Sequence, residues 1–188
     1  SLTNLGNRRY FDEQIQRAMH SADRHHSLVG LVLGDLNKFK AINDNYGHNV
    51  GDELLIEVSQ RMKSALREGD TLARIGGDEF IVVLQDLTEH NGAEIVARRF
   101  VEIVSQPIDI DGQEISVGAS IGIAVYPDDA KEPSDILRLA DAAMYQAKRA
   151  ADSQYRFATE AVNARGRRRT WLEHELRRAV SEKEIRRT

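Results

Sequence analysis

This 188-residue sequence predicts an α+β domain with a ferredoxin-like β-α-β-β-α-β core. Its central sheet is mostly antiparallel and flanked by helices, and a C-terminal linker helix follows. Three observations carry the prediction. Apolar runs of strand length alternate with longer stretches of helical periodicity. Two strand pairs are joined by hairpin signals, Gly76-Gly77-Asp78-Glu79 and Asp111-Gly112. Strands interleaved with both helices and hairpins require antiparallel pairs, which a doubly wound parallel sheet lacks.

In chain order, Leu5 to about His25 carries Phe11, Ile15, Ala18, Met19 and Ala22 at helical spacing and predicts an amphipathic helix. Leu28 to Leu33 is a continuous apolar run and predicts a buried central strand. The stretch from Asp35 to Asp52 is polar and rich in Asn, Asp and Gly, and leads into a helix from about Val50 to Leu66. Asp70 to Ile75 and Phe80 to Leu84 are the arms of the first hairpin, followed by a helix from about Glu89 to Ser105. The second hairpin joins Pro107–Ile110 to Glu114–Tyr126. Pro133 opens a helix running to about Ala150, since proline suits a first helical turn. Gln154 to Phe157 predicts a closing edge strand, and Glu160 to Arg187 a last amphipathic helix.

Composition narrows the function. Hydrophobic residues make up 41% and charged residues 30%, the ordinary range for a globular chain. No apolar run approaches the ~20 residues of a membrane helix, and the polar first residues do not resemble a signal peptide. The absence of cysteine excludes disulfides, thiolate metal sites and cysteine nucleophiles, and fits the cytoplasm. The formal charge of −4 is uneven: residues 165–188 carry nine basic against four acidic residues. The rest is therefore acidic and carries no broad nucleic-acid footprint. The chain opens on Ser1, so it is expected to be part of something longer, with any membrane anchor in regions outside this sequence.

The hairpin tip Gly76-Gly77-Asp78-Glu79 carries the strongest chemical signal. Two glycines permit φ > 0 and close approach of a ligand to the main chain. Two adjacent carboxylates repel one another unless a cation is present. Asp35 follows the buried strand at its carboxyl edge, and if that strand lies beside the hairpin, Asp35 and Asp78 approach. Such a hard-oxygen pair without His or Cys suits Mg²⁺, which takes one or two carboxylates plus phosphate oxygens. The residues alone leave a plain turn at the tip and a capping role for Asp35 open. The six histidines show no zinc-ligand spacing, and there is no phosphate loop or nucleophile elbow.

The stretch Ala73-Arg74-Ile75-Gly76-Gly77-Asp78-Glu79-Phe80 resembles the signature of the GGDEF family, the diguanylate cyclases. Further matching segments follow the family's order. They are Leu2-Thr3-Asn4-Leu5-Gly6-Asn7-Arg8-Arg9, Asp35 to Asp44, Gly47-His48 with Gly51-Asp52, Ala119 to Ala124 and Ala140 to Lys148. The resemblance covers residues 1 to about 158. It implies a cyclase or polymerase-palm fold that condenses two GTP into cyclic di-GMP, in a face-to-face homodimer with one GTP per protomer.

By that resemblance, Asp35, Asp78, Glu79 and the carbonyl of Leu36 hold Mg²⁺ or Mn²⁺, and Asp78 is a candidate acceptor of the 3′-hydroxyl proton. Asn43 and Asp52 match guanine readers, and Lys40 and Lys148 match positions near the phosphates. Gly76 and Gly77 leave room for the nucleotide. Arg67 and Asp70 resemble an Arg-x-x-Asp site that binds the cyclic dinucleotide product and inhibits. Residues 168–179 resemble the linker and first helix of an EAL phosphodiesterase domain, so the expected division is a GGDEF domain over 1–158 and a linker helix with the start of an EAL domain over 159–188. The alternative implied is a catalytically weak GGDEF domain that binds GTP or cyclic di-GMP and regulates that EAL domain. One position departs from the pattern: Asp152 stands where active members usually carry a phosphate-contacting arginine. Weaker GTP binding than in those members is expected, and Asp152→Arg should tighten it, as read by calorimetry.

Overall fold

The computed structural model describes residues 1–150 and 154–159. Helix α1 (Arg8–His25) begins where the Asn7 side chain accepts a hydrogen bond from the Tyr10 amide, three residues later than its apolar pattern suggests, and ends at His26 in the left-handed region. Strand β1 (Leu28–Asn37) leads through α2 (Phe39–Tyr46) and α3 (His48–Ser64) to β2 (Thr71–Arg74) and β3 (Glu79–Leu87). Helix α4 (Asn91–Ser105), the short strands β4 (Ile108–Ile110) and β5 (Gln113–Ile115), strand β6 (Gly118–Tyr126), helix α5 (Pro133–Arg149) and β7 (Tyr155–Phe157) complete the order.

The central sheet has the order β2-β3-β1-β6-β7. Every pair is antiparallel except β6 with β7, which is parallel. Its first four strands, with the helices between them, are the ferredoxin-like core.

Because side chains alternate along a strand, β1 serves two cores. Val29, Leu31 and Leu33 meet α1 and α5, together with Ile81, Val83 and Ala124. Val32 and Leu36 meet α3 and α4 on the other face, with Leu54, Val58, Phe100 and Ile123. The unbroken apolar run is thus that of a strand buried on both faces.

Three sequence expectations change. Strand β1 runs four residues past Leu33, so Asp35 lies inside the sheet. The polar stretch after it holds α2, which buries only Ile42 and so shows no apolar stripe. The second hairpin does not feed one long strand. Strands β4 and β5 form a separate two-stranded sheet, turning through Asp111 (φ 54°) and Gly112 (φ 80°), and β6 pairs afresh with β1. The last predicted helix from Glu160 and the position of Asp152 lie outside the described residues.

Helix α5 lies directly on β6 at Gly122. A methyl there would stand 1.9 Å from the Ala140 carbonyl oxygen and 2.4 Å from the Met144 amide nitrogen, both main chain. Gly122→Ala must push the helix off the sheet, and urea unfolding is expected to show a loss of about 1–3 kcal/mol. Gly77→Ala is the control, because its methyl would meet nothing within 4 Å, and it should stay within about 0.5 kcal/mol of the parent.

Candidate functional site

The strand register builds the site. Asp35 sits opposite Glu79 on β3 and opposite Ser120 on β6. By the period-two rule Asp35 and Glu79 point to the face covered by α1 and α5, continuing the rows Leu31-Leu33 and Ile81-Val83. The Leu36 amide donates to the Asp78 carbonyl at 3.2 Å, which ties the hairpin tip to the end of β1. Asp35 and the tip therefore meet, as the sequence required if the two strands were neighbours. The Leu36 side chain itself faces the opposite core.

The tip is held from beneath. The Arg74 side chain donates to the Gly77 carbonyl at 3.0 Å, and the Ile75 amide to the Glu79 carbonyl at 3.1 Å. Neither Gly76 nor Gly77 is among the residues with positive φ, so the turn does not use the φ > 0 that glycine permits. Gly77 instead leaves open space where a side chain would stand.

The last turn of α5 brings Lys148 to this edge, one turn beyond the Gly122 contact. Its ammonium donates to Asp35 Oδ2 at 2.9 Å, while Asp35 Oδ1 is buried with no hydrogen-bond partner. The hydrogen bond to Asp35 holds the lysine above its ordinary range. Burial, reinforced by the Asp35 charge, pushes the Asp78 carboxyl up. Burial, with the charges of Asp141, Asp78 and Asp35, does the same for Glu79. Asp141 is an acidic neighbour that the sequence pattern did not single out. The edge thus holds more negative charge than Lys148 compensates, and its orphaned Asp35 oxygen is a hard donor, so the residues fit a divalent cation. Among the described residues, however, no three acidic or histidine side chains are already gathered as a metal cage.

Lys40 and Asn43 lie on α2 and Asp52 near the start of α3. Lys40 and Asp52 are exposed, and Asn43 is half-buried. The sequence reasoning missed a short-range device here: buried Gly51 lies directly under the Asn43 carboxamide.

A second feature lies at the start of β2. The Asp70 side chain, 3% exposed, accepts from the Arg67 amide at 3.2 Å and from the Gln85 amide at 3.4 Å. The Arg67 guanidinium bridges Asp70 (3.4 Å) and the Gln85 carbonyl (3.0 Å), yet the arginine remains 65% exposed. Both border a cleft of about 570 Å³ shared with Leu5, Tyr10, Lys63 and Leu66.

The sequence profile described as "Diguanylate cyclase, GGDEF domain" matches residues 1–154. The chain is 39% identical over 185 residues to the bifunctional diguanylate cyclase/cyclic di-GMP phosphodiesterase MucR of Pseudomonas aeruginosa, covering 98% of this chain and 27% of MucR. It is 40% identical over 159 residues to the diguanylate cyclase TpbB of the same species, covering 84% of this chain and 37% of TpbB. The chain therefore spans well under half the length of these curated relatives. The solved structure of TpbB's GGDEF domain superposes with a TM-score of 0.81 at 40% identity, covering 84% of this chain and 92% of that one. The GGDEF domain of DgcB from Caulobacter crescentus, solved with cyclic di-GMP, gives a TM-score of 0.73 at 28% identity, covering 85% and 94%.

Proposed function

Since the chain belongs to the diguanylate cyclase GGDEF-domain family, we propose that it condenses two GTP molecules into cyclic di-GMP and releases two pyrophosphates. The observation that carries this reading is the row formed by Asp35 and Glu79 beside the Asp78 hairpin, with the Lys148 ammonium 2.9 Å from Asp35. It is an edge on which negative phosphates can be held only with added positive charge.

Asp35, Asp78, Glu79 and the Leu36 carbonyl would hold Mg²⁺ or Mn²⁺, which when bound neutralises phosphate charge. Two protomers face each other, each presenting one GTP. The 3′-oxygen of each nucleotide forms a bond to the α-phosphorus of the other, and the bond to the β-phosphate breaks with pyrophosphate as leaving group. Asp78 accepts the hydroxyl proton. Lys148 and Lys40 place positive charge against the triphosphate, and Gly76 and Gly77 let it approach the main chain. Most of the rate gain comes from orientation and electrostatics, because the protein forms no bond to the phosphorus.

Asn43 and Asp52 read guanine: the Asp52 carboxylate accepts from adjacent N–H groups of the base, a donor pair adenine lacks. Asp52→Ala is expected to weaken GTP binding by about 1–3 kcal/mol with little change for ATP. Calorimetry checks this, and unchanged GTP affinity would remove the role.

Arg67 and Asp70 form the product-binding inhibitory site. The planar fork of arginine suits both a phosphate and a guanine edge. In the full-length protein we place an EAL domain after residue 158, consistent with the MucR match extending over 185 residues. The deciding experiment is incubation with GTP and Mg²⁺ followed by chromatography of the products. Cyclic di-GMP is expected. Tight GTP binding with no product would leave a regulatory GGDEF domain.

A further inference from the structure

Gly51 touches one of these two residues and precedes the other: the Asn43 carboxamide lies against it, and Asp52 follows it in the chain. It is buried in the first turns of α3, immediately before Asp52. A methyl at Gly51 would stand 1.8 Å from Asn43 Oδ1 and 2.9 Å from its Cγ, with Phe39 Cζ at 3.3 Å. The carboxamide therefore occupies the volume that any other residue at 51 would fill. Asn43 Oδ1 is buried there without a hydrogen-bond partner, so no hydrogen bond directs that oxygen. Its placement is steric.

We propose that Gly51 is a specificity-determining positioning residue: its bare Cα is the notch that seats the Asn43 carboxamide beside Asp52, and so fixes the pair that reads the nucleobase. The proposal rests on the reading of Asn43 and Asp52 as guanine readers. A carboxamide is planar, so seating its oxygen against Gly51 sets the direction of its amide nitrogen, which becomes the donor offered to the base. Asp52, on the next residue of the same helix, only accepts. Displacing the carboxamide would break this donor–acceptor pair while leaving the carboxylate edge at Asp35 and Asp78 untouched.

The experiment is a double-mutant cycle of N43A and G51A in the whole chain. Dissociation constants for guanosine and adenosine 5′-(α,β-methylene)triphosphate, which cannot react at the α-phosphate, are measured together with thermal melting. G51A is expected to lower the preference for the guanine nucleotide about tenfold, because a site built to pair a base loses its discrimination when a partner is misplaced. In the N43A background the same substitution should cost less than about twofold. Its thermal penalty should also largely vanish there, because the clashing carboxamide is gone. If G51A alone does not fold, the double variant should.

Equal losses in both backgrounds, or a double variant no more stable than G51A, would overturn the notch. An undiminished guanine preference in G51A would overturn its part in specificity. The underlying reading fails separately: an N43A protein with full guanine preference shows that Asn43 does not read the base, whatever the melting data give.

Discussion

Asp78→Ala is expected to cut cyclic di-GMP formation by on the order of 10³-fold, the scale lost with a central electrostatic group in a reacting site, without unfolding the protein. Asp78 lies at the hairpin tip and contributes nothing to either apolar core. Its carboxyl is pushed up by burial and by the charge of Asp35. The folded-state value therefore lies above the unfolded one, and the ionised group opposes folding. That opposition is fully present above the raised folded-state value and vanishes as pH falls below the unfolded carboxylate range. In metal-free buffer at neutral pH the variant should melt at or above the parent temperature. Thermal melting and product chromatography are read on the same preparation. Parent-like turnover per folded molecule would reject Asp78 as part of the site, and a marked fall in melting temperature would assign any lost activity to unfolding.

Arg67→Ala is expected to abolish inhibition by cyclic di-GMP and to weaken its binding about 10- to 100-fold, the worth of a two-pronged arginine contact to a guanine edge. GTP turnover should persist, because Arg67 precedes β2 whereas the Asp78 hairpin follows the end of that strand. The loop should also persist. Asp70 keeps the amide donors of Arg67 and Gln85 after the guanidinium is removed, and an arginine 65% exposed contributes at most about 1 kcal/mol through its ion pair. Arg67→Lys separates charge from shape, since lysine cannot donate as a fork. It should recover little of the affinity. Inhibition curves and calorimetry decide this, and cyclic di-GMP binding as tight as in the parent would remove the inhibitory site.

The parts of this molecule that local pattern encodes were legible. Helix α1 is written in the spacing of Phe11, Ile15, Ala18 and Ala22, all buried in the structure. Strand β1 is written in an unbroken apolar run because it is covered on both faces. The hairpin between β2 and β3 is marked by its glycines and carboxylates. Helix α2 was not legible, because with Ile42 as its single buried residue it has no stripe to read. The hairpin after α4 was misjudged for the opposite reason. The residues from Glu114 to Tyr126 read as one strand, yet their pairing changes between Ile115 and Gly118, from β4 to β1. A change of partner leaves no mark in the alternation of side chains.

By itself the sequence determined the α+β class, the family, and a short set of carboxylates, lysines and glycines spaced as that family spaces them. Only the tertiary structure decided how these act on one another. Lys148 and Asp35 are separated by 113 positions yet lie 2.9 Å apart. That distance depends on α5 resting on the bare backbone of Gly122, a contact with no trace in local periodicity. The same holds for the seat of Asn43 on Gly51. The physical reason is common to both. Residue type and spacing record what a segment prefers, whereas the room left by a missing side chain has meaning only once another element has moved in beside it.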